Sequence, residues 1–368
     1  MHGVYISGAS VVIGSLTTMS KKGFLERLEN GGDVIMAEGF LFEFERRGYL
    51  SAGQWVPEVV LDYPHLVKSL SEELVHAGSE VVLAFTYYGH REGMYVVGKE
   101  HLLEKHNREA LKIAKEVADE SGCLLAGNIC NTTRYRKGSQ RHIEQAEAMF
   151  KEQIEWAVEY DVDLILAETF VELGEAKLAL ECIQKYGQGK PSVVNINPTT
   201  ADKTFDGIPY AEASRQLEKA GADVVGYNCG RGLNTTIPLL RELRKTCKGP
   251  IAAFPVPYRT TPDCPTMHSL IDPYTGKRAY PDLCSQLCSV AEVTDFAKEC
   301  KDIGVQFVGL CCGNTPAMTR AVAEVYGRRP PASAFSPNME KHFIFGNEKY
   351  FCDKYYMTDL RKMMSKTC

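Results

Sequence analysis

The chain has 368 residues, of which 44% are hydrophobic and 24% carry a charge. Its 31 glycines and 17 prolines are too few for collagen or a low-complexity chain, so we expect a soluble globular protein. The 42 basic and 47 acidic residues give a net charge of −5, which argues against a surface for nucleic acid or membrane and favours small-molecule chemistry.

The cysteine content and the amino-terminal segment bear on the compartment. Thirteen cysteines are an odd number, and a chain of this length needs no disulfide scaffold, so we expect reduced thiols. No run of about 18 apolar residues is present to span a bilayer. Residues 1–22 have no basic region before their apolar start, so we expect a loosely ordered leader and a cytoplasmic protein.

A short apolar strand pattern followed by an amphipathic helix pattern recurs eight times from residue 33 onwards. The predicted strands span 33–40, 80–88, 123–130, 163–170, 191–198, 223–229, 251–257 and 305–312. The predicted helices span 65–76, 102–120, 143–160, 173–186, 210–220, 235–247, 293–303 and 315–326. Eight such alternations predict a parallel sheet closed into a (β/α)₈ TIM barrel over residues 23–328. An open Rossmann-type sheet is the alternative, but no strand is followed by G-x-G-x-x-G.

Residues 329–368 break this rhythm and carry many aromatic side chains. Such side chains need a surface to cover them, which predicts a carboxyl-terminal oligomerisation arm and a homodimer or homotetramer. Packing of the arm on its own barrel is the alternative. The aromatic residues are Phe343, Phe345, Tyr350, Phe351, Tyr355 and Tyr356.

Catalytic groups of an α/β barrel lie at the carboxyl ends of its strands, where this chain has cysteines. Cys229 closes the sixth predicted strand, and Cys311 and Cys312 close the eighth. Three thiolates can hold Zn²⁺ and leave one tetrahedral position open for a substrate thiol, which the cation keeps deprotonated. Any one buried cysteine is more often a small hydrophobic side chain, but three at neighbouring strand ends favour a metal site. Cys284 and Cys288 have no ligand partner nearby in sequence, so we expect them to be incidental.

Several motifs make the chain resemble the homocysteine S-methyltransferase family, from about residue 23 to beyond 350. The Gly-Tyr-Asn-Cys and Cys-Cys-Gly motifs are specific to the family. Gly-Phe-Leu-Glu-Arg-Leu (23–28), Glu-Arg-Arg-Gly-Tyr (45–49), Ala-Gly-Gln-Trp-Val-Pro-Glu (52–58), Phe-Thr-Tyr-Tyr (85–88) and Thr-Pro-Asp-Cys (261–264) favour its betaine subgroup.

The resemblance implies a catalytic zinc held by Cys229, Cys311 and Cys312, with the substrate sulfur as fourth ligand. It implies that Trp55 and Tyr88 hold a cationic methyl donor, since aromatic faces attract cations. Tyr87 and Phe40 are candidate neighbours, with ordinary barrel packing as their alternative.

The resemblance also implies a set of groups for the amino-acid part of the thiol substrate. Glu168 matches the carboxylate that binds the amino group, although a carboxylate there could instead cap the next helix. Glu38, Gly39 and Asn228 are the other candidates for substrate binding. Glu38 follows Ala37, which occupies the family's usual acidic position, so a regular strand would point Glu38 to the opposite side.

Three further departures surround the same region. Ala84, preceded by Leu83, stands where a threonine is common, Thr169 stands where an aromatic residue is common, and Arg231 adds a charge near the metal site.

The sequence therefore predicts a zinc-dependent S-methyltransferase that moves a methyl group from a small onium donor, glycine betaine or a dimethylsulfonium analogue, to homocysteine. One alternative is a different thiol acceptor whose acid group binds Arg231. Another is a barrel that binds zinc or an onium ligand without turnover.

Overall fold

Eight parallel strands form a closed barrel in the computed structural model, which describes residues 22–50, 57–335 and 362–363. The strands are hydrogen-bonded in the order β1-β8-β7-β6-β5-β4-β3-β2, and a parallel bridge between Met36 and Val81 joins β1 to β2. The predicted TIM barrel is confirmed, and the open sheet is excluded by this closure.

The first, second and eighth strands, which meet where the barrel closes, are shorter than the sequence predicted. Their bounds are β1 Val34–Ile35, β2 Val81–Leu83, β3 Leu124–Cys130, β4 Leu164–Phe170, β5 Ser192–Ile196, β6 Val224–Gly232, β7 Ile251–Val256 and β8 Phe307–Val308. The first prediction ran on to residue 40, but Gly39 has φ +105° and turns the chain into a helix. Apolar content alone therefore overestimated the length of the strand.

Helices cover the outside of the barrel, and each predicted helix is found with small shifts at its ends. They are α1 Phe24–Leu28, α2 Phe40–Arg46, α3 Val59–Asp62, α4 Pro64–His76, α5 Arg91–Val96, α6 Leu103–Ser121, α7 Gln140–Glu159, α8 Leu173–Tyr186, α9 Tyr210–Lys219, α10 Leu233–Thr246, α11 Val290–Ile303 and α12 Pro316–Val325. Of these, α1, α2, α3 and α5 are short helices that were not predicted.

Alternate residues of each strand face the barrel interior and the helices. In β4, Leu164 and Leu166 belong to the interior cluster, whereas Ile165 and Ala167 pack with the helices. Each fully buried leucine or isoleucine contributes about 1.5–3 kcal/mol of transfer free energy, so this alternation fixes which side each residue faces. Continuing the alternation places Glu168 on the interior side, at the carboxyl end of the strand.

Three predictions fall mostly outside the described residues. They concern the leader at 1–22, the arm at 329–368, and Trp55 in the 51–56 segment. The oligomeric state therefore stays a prediction. Among the described residues, no helix has the length and apolar character needed to cross a membrane.

Candidate active site

The three cysteines singled out in the sequence lie together at the carboxyl-terminal end of the barrel. Cys229 is in β6, and Cys311 and Cys312 follow β8, with β7 between the two strands. The three sulfur atoms all lie within 4.8 Å of one another, and the Sγ atoms of Cys311 and Cys312 are 3.8 Å apart. Two thiolates bound to one tetrahedral Zn²⁺ at about 2.3 Å would have sulfurs about 3.8 Å apart. The spacing of the sulfurs thus fits a zinc ion.

An unusual backbone conformation turns the Cys229 sulfur towards this cluster. Strand alternation already places Asn228 in the interior, so a regular strand would direct Cys229 outwards. Cys229 instead has φ +57° and Gly230 has φ +62°, and the register between β6 and β7 shifts between Asn228 and Gly232. A non-glycine residue with positive φ is uncommon and costs energy, and such residues concentrate at functional sites.

The three thiols perturb one another because they are buried at hydrogen-bonding distance. Hydrogen bonds from Cys311 and Cys312 hold the pKa of Cys229 well below its ordinary value. The same contacts with Cys229 raise the pKa values of Cys311 and Cys312. The cluster can therefore carry one thiolate without a metal, and a divalent cation is what would make all three thiolates stable together.

Glu168 is held inside the barrel by two asparagine side chains. The Nδ2 atoms of Asn128 and Asn228 each donate to a different carboxylate oxygen of Glu168 over 2.6 Å. Burial raises the pKa of Glu168 to about 8, the Asn128 hydrogen bond opposes this rise, and the charge of Cys229 adds to it. The next helix, α8, has Glu172 at its N-cap, so the helix-capping alternative for Glu168 is wrong.

Glu38 lies beside Glu168, contrary to the expectation that it would face away. Val34 and Met36 belong to the interior cluster, so Glu38 continues the inward alternation. A carboxylate oxygen of Glu38, one of Glu168 and the Cys311 sulfur lie within 4.8 Å of one another. Burial and the charge of Glu168 raise the pKa of Glu38 well above its ordinary value.

These carboxylates border a small chamber on one side of the sulfurs, which we call the carboxylate chamber. Its volume of about 30 Å³ is room for one or two water-sized groups. Glu38 Oε1 is buried and has no hydrogen-bond partner among the described residues. Gly39 lines the chamber, and a Cβ there would lie 3.1 Å from the Cys311 carbonyl oxygen. Its apolar walls are Phe40, Leu41, Leu83, Phe85 and Tyr87.

A larger cavity of about 150 Å³ lies on the other side and is bordered by Cys229 and Cys312; we call it the tyrosine cavity. The rings of Tyr87 and Tyr88 form one wall, with centroids 4.7 Å apart in an edge-to-face arrangement. The position of Trp55 relative to this wall lies outside the described residues. Its other apolar side chains are Leu41, Phe42, Val171, Met267 and Tyr280.

Residues at the ends of β3 and β4 hold Tyr88 in place. Tyr88 has φ +53°, its amide donates to the Cys130 sulfur over 3.2 Å, and its hydroxyl donates to Asn131 Oδ1 over 3.1 Å. Asn131 Nδ2 in turn donates to the carbonyl and hydroxyl oxygens of Thr169. Hydrogen bonds thus connect this wall of the tyrosine cavity to the ends of three neighbouring strands, β2, β3 and β4.

The departures from the family pattern fall on both chambers. Leu83 lines the carboxylate chamber, whereas Ala84 packs on the helix side of the barrel. Thr169 lines the tyrosine cavity, where its small side chain leaves one wall without an aromatic face. The Phe40 ring lies tilted against Phe85 with centroids 5.3 Å apart and lines the carboxylate chamber, so its place beside the donor stays a prediction.

Arg231 is committed to the backbone of the loop after β5. Its Nε donates to the Pro198 carbonyl over 3.1 Å, and its Nη2 donates to the carbonyls of Thr200 and Ala201. The guanidinium does not line either chamber. This arrangement contradicts the suggestion that Arg231 binds the acid group of a thiol substrate.

Sequence reasoning missed several polar residues of the site. Asn128 and Asn131 belong to the end of the third strand, and Asn197 follows the fifth, so attention to every strand end would have identified them. His268 lies in the long loop after β7 and has no comparable signal. Cys284 and Cys288 belong to neither cluster of potential metal ligands in the described residues.

The fold and the cluster together define a (β/α)₈ barrel with a three-thiol centre, flanked by a carboxylate chamber and an aromatic cavity. The sequence profile described as homocysteine S-methyltransferase matches residues 34–326. The chain belongs to this family and is a methyltransferase.

Characterised relatives cover most of the chain. Betaine–homocysteine S-methyltransferase 1 of Xenopus tropicalis is 33% identical over 347 residues, covering 90% of this chain and 81% of the relative. S-methylmethionine–homocysteine S-methyltransferase BHMT2 of Pongo abelii is 33% identical over 342 residues, covering 89% and 87%. The metallated crystal structure of the homocysteine methyltransferase MmuM from Escherichia coli has the same fold, with a TM-score of 0.62 and 18% identity, covering 79% of this chain and 96% of that structure.

Proposed function

We propose that the protein is a zinc-dependent S-methyltransferase that moves a methyl group from a small onium donor to homocysteine. Glycine betaine and its dimethylsulfonium analogues are the proposed donors. The observation that carries the proposal is the meeting of three cysteine sulfurs within 4.8 Å between an aromatic cavity and a pair of buried carboxyl groups. The names of the relatives support both the acceptor and a choice of onium donors.

Cys229, Cys311 and Cys312 would hold the zinc through their sulfurs. A bound zinc ion with an open position supplies a means of keeping a substrate thiol deprotonated near neutral pH. The 3.8 Å separation of two of the sulfurs and the buried donor set support this assignment.

Glu168 and Glu38 would bind the ammonium group of homocysteine. Two buried carboxyl groups lie close together, and one Glu38 oxygen is without a partner among the described residues. An ammonium group would supply the missing donors and ionise both carboxyl groups by its charge. Asn128 and Asn228 would keep the Glu168 carboxylate aimed at that group, and Gly39 would allow the chain to approach Cys311.

Tyr87, Tyr88 and Trp55 would hold the cationic head of the donor. An aromatic face contributes about 0.5–2 kcal/mol to binding a cation, and most when water is excluded. The hydrogen bonds of Tyr88 to Cys130 and Asn131 support the view that this wall of the tyrosine cavity is already in place before the donor binds.

The reaction would be a single displacement at the methyl carbon. A bond forms between the thiolate sulfur and the methyl carbon while the bond from that carbon to the donor nitrogen or sulfur breaks. The departing amine or thioether keeps the electron pair and is neutral, so no general acid is needed. The residues of the site would act by alignment and by exclusion of water.

The test pairs Cys312→Ala with Cys300→Ala, a substitution of a fully buried cysteine in α11 outside the cluster. Metal analysis would count zinc per chain, and mass spectrometry would detect methylated thiols from a panel of onium donors and thiols offered together. We expect the wild type and Cys300→Ala to hold one zinc and methylate homocysteine, and Cys312→Ala to lose both. Full activity of Cys312→Ala without metal would contradict the proposal.

A further inference from the structure

The tyrosine cavity has a polar region that the proposed chemistry leaves without a role. His268 and Asn197 line the same cavity as Tyr87 and Tyr88. Among the described residues of its lining, His268 is the only one whose side chain can carry a positive charge, and none is a carboxylate. The aromatic wall suits the cationic head of a donor, whereas this region offers groups suited to a negative charge.

His268 is fixed close to Cys229 by the extension of β6. Arg231, two residues after Cys229, forms an antiparallel bridge with Thr266, two residues before His268. The turn around His268 is closed by hydrogen bonds between Thr266 and Ser269. The bridge between Arg231 and Thr266 therefore places the turn that contains His268 beside the end of β6, the strand that carries Cys229.

The loop on the other side of His268 also restrains it. The Nη1 atom of Arg278 donates to the His268 carbonyl over 2.7 Å, and the Tyr280 ring lies 4.9 Å from the imidazole centroid. Both imidazole nitrogens lack a hydrogen-bond partner within residues 22–50 and 57–335. Either protonation state of the ring keeps at least one N–H that can donate to a ligand.

Asn197 presents a second unused polar group. The residue is 9% exposed, and its Oδ1 is buried without a hydrogen-bond partner in the described part of the chain. A Cβ added to Gly230 would lie 2.3 Å from that oxygen, so the amide packs directly against the residue that follows Cys229. Oδ1 can only accept a hydrogen bond, so an anion would meet the Nδ2 of the same amide, which can donate, at the edge of the tyrosine cavity that Asn197 lines.

Building on the proposed function, we propose that His268 and Asn197 bind the acid group of a zwitterionic donor, and so determine specificity for onium compounds that carry a short carboxylate. The imidazole N–H and the Asn197 amide N–H would donate to the carboxylate, while the onium head lies against the tyrosines. The methyl transfer itself is unchanged. Donors with the same head but no acid group would lose these hydrogen bonds.

The test compares two sulfonium donors that differ in the acid group, dimethylsulfonioacetate and trimethylsulfonium. The zinc-loaded full chain is assayed as the wild type, His268→Phe, Asn197→Leu and His65→Phe, an exposed control in α4. We expect the ratio of the KM for dimethylsulfonioacetate to that for trimethylsulfonium to rise about 10- to 100-fold in His268→Phe and Asn197→Leu, as for lost hydrogen bonds to a charged group. The ratio should not change in His65→Phe.

Equal changes in both KM values, or no change in either, would overturn the inference. If His268→Phe does not fold, as judged by its thermal transition and zinc content, His268→Asn takes its place. If the wild type transfers a methyl group from no onium compound, the proposed function fails, and calorimetry then decides the inference alone. In that case the wild type should still bind glycine betaine more tightly than tetramethylammonium, and a preference that survives in both variants would overturn the inference.

Discussion

At the amino-terminal end of the barrel a partly buried arginine is paired with two carboxylates, whereas at the carboxyl-terminal end several buried polar atoms have no partner among the described residues. Arg328 donates to Asp33 and to Glu80, and Glu80 accepts the Ile35 amide over 3.0 Å. Acidic side chains accept strand amides elsewhere at the same end, as Asp163 does from Leu125. These contacts give this end the chemistry of a stable closure.

The opposite end shows the reverse pattern among the described residues. Unpartnered buried atoms belong to Glu38, Asn128, Asn195 and Asn197. Non-glycine residues have positive φ at both ends: Tyr88, Thr169 and Cys229 at this end are buried, whereas Asn30, Asp161 and Gln188 at the amino-terminal end are exposed. Buried groups in unfavourable conformations or without partners thus gather at the end where α/β barrels bind their ligands.

The largest expected effect concerns Glu168 and the dependence of stability on pH. Its folded pKa of about 8 lies above the ordinary value of 4.5, so the metal-free folded protein keeps a proton that the unfolded chain loses. The free energy of unfolding should therefore fall by a few kcal/mol as pH rises from about 4.5 to 8. Glu168→Gln should flatten much of this fall, as measured by chemical denaturation of metal-free protein at several pH values. A stability that rises over this range would show that the carboxyl-terminal end is not strained by burial.

At the amino-terminal end, Arg328→Met should lower the free energy of unfolding, because it removes the pairs with Asp33 and Glu80. The Arg328 side chain is 28% exposed, so breaking its pairs should cost about 1–3 kcal/mol, between the values for surface and buried ion pairs. Arg329→Met, which changes the exposed neighbour, should cost no more than about 0.5 kcal/mol. Urea denaturation at pH 7 gives both values. Loss of methyl transfer in Arg328→Met without loss of stability would contradict the division between the two ends.

The smallest effect is expected at Tyr88. Tyr88→Leu removes an aromatic face and should raise the KM for the onium donor about 2- to 30-fold, the equivalent of 0.5–2 kcal/mol. Tyr88→Phe keeps the face and removes the hydroxyl that donates to Asn131, so its KM should lie closer to that of the wild type. Steady-state kinetics with homocysteine saturating would measure both, and equal effects in the two variants would argue against a role for the ring face.

The sequence predicted the barrel well because apolar strand patterns and amphipathic helix patterns are local signals. Glycines that follow helices add a second local signal, since Gly78, Gly221 and Gly304 all have positive φ. The meeting of the cysteines was predictable because both cysteine motifs lie at strand ends, and only β7 lies between β6 and β8 in the barrel.

The remaining parts of the site depend on backbone details that a pattern does not contain. Whether Glu38 faces the barrel interior depends on which residues of β1 face inwards. The direction of the Cys229 side chain depends on the left-handed backbone conformation of Cys229 itself. His268 reaches the site through the pairing of Arg231 with Thr266, a contact between segments far apart in sequence. Such contacts are set by tertiary packing, so propensity and spacing could not predict them.

X-ray absorption spectroscopy of the zinc-loaded protein, before and after addition of homocysteine, tests the central claim most directly. We expect three sulfur ligands at about 2.3 Å without the thiol and a fourth at a similar distance with it. A first shell dominated by nitrogen or oxygen, or a sulfur count that homocysteine does not change, would contradict the account.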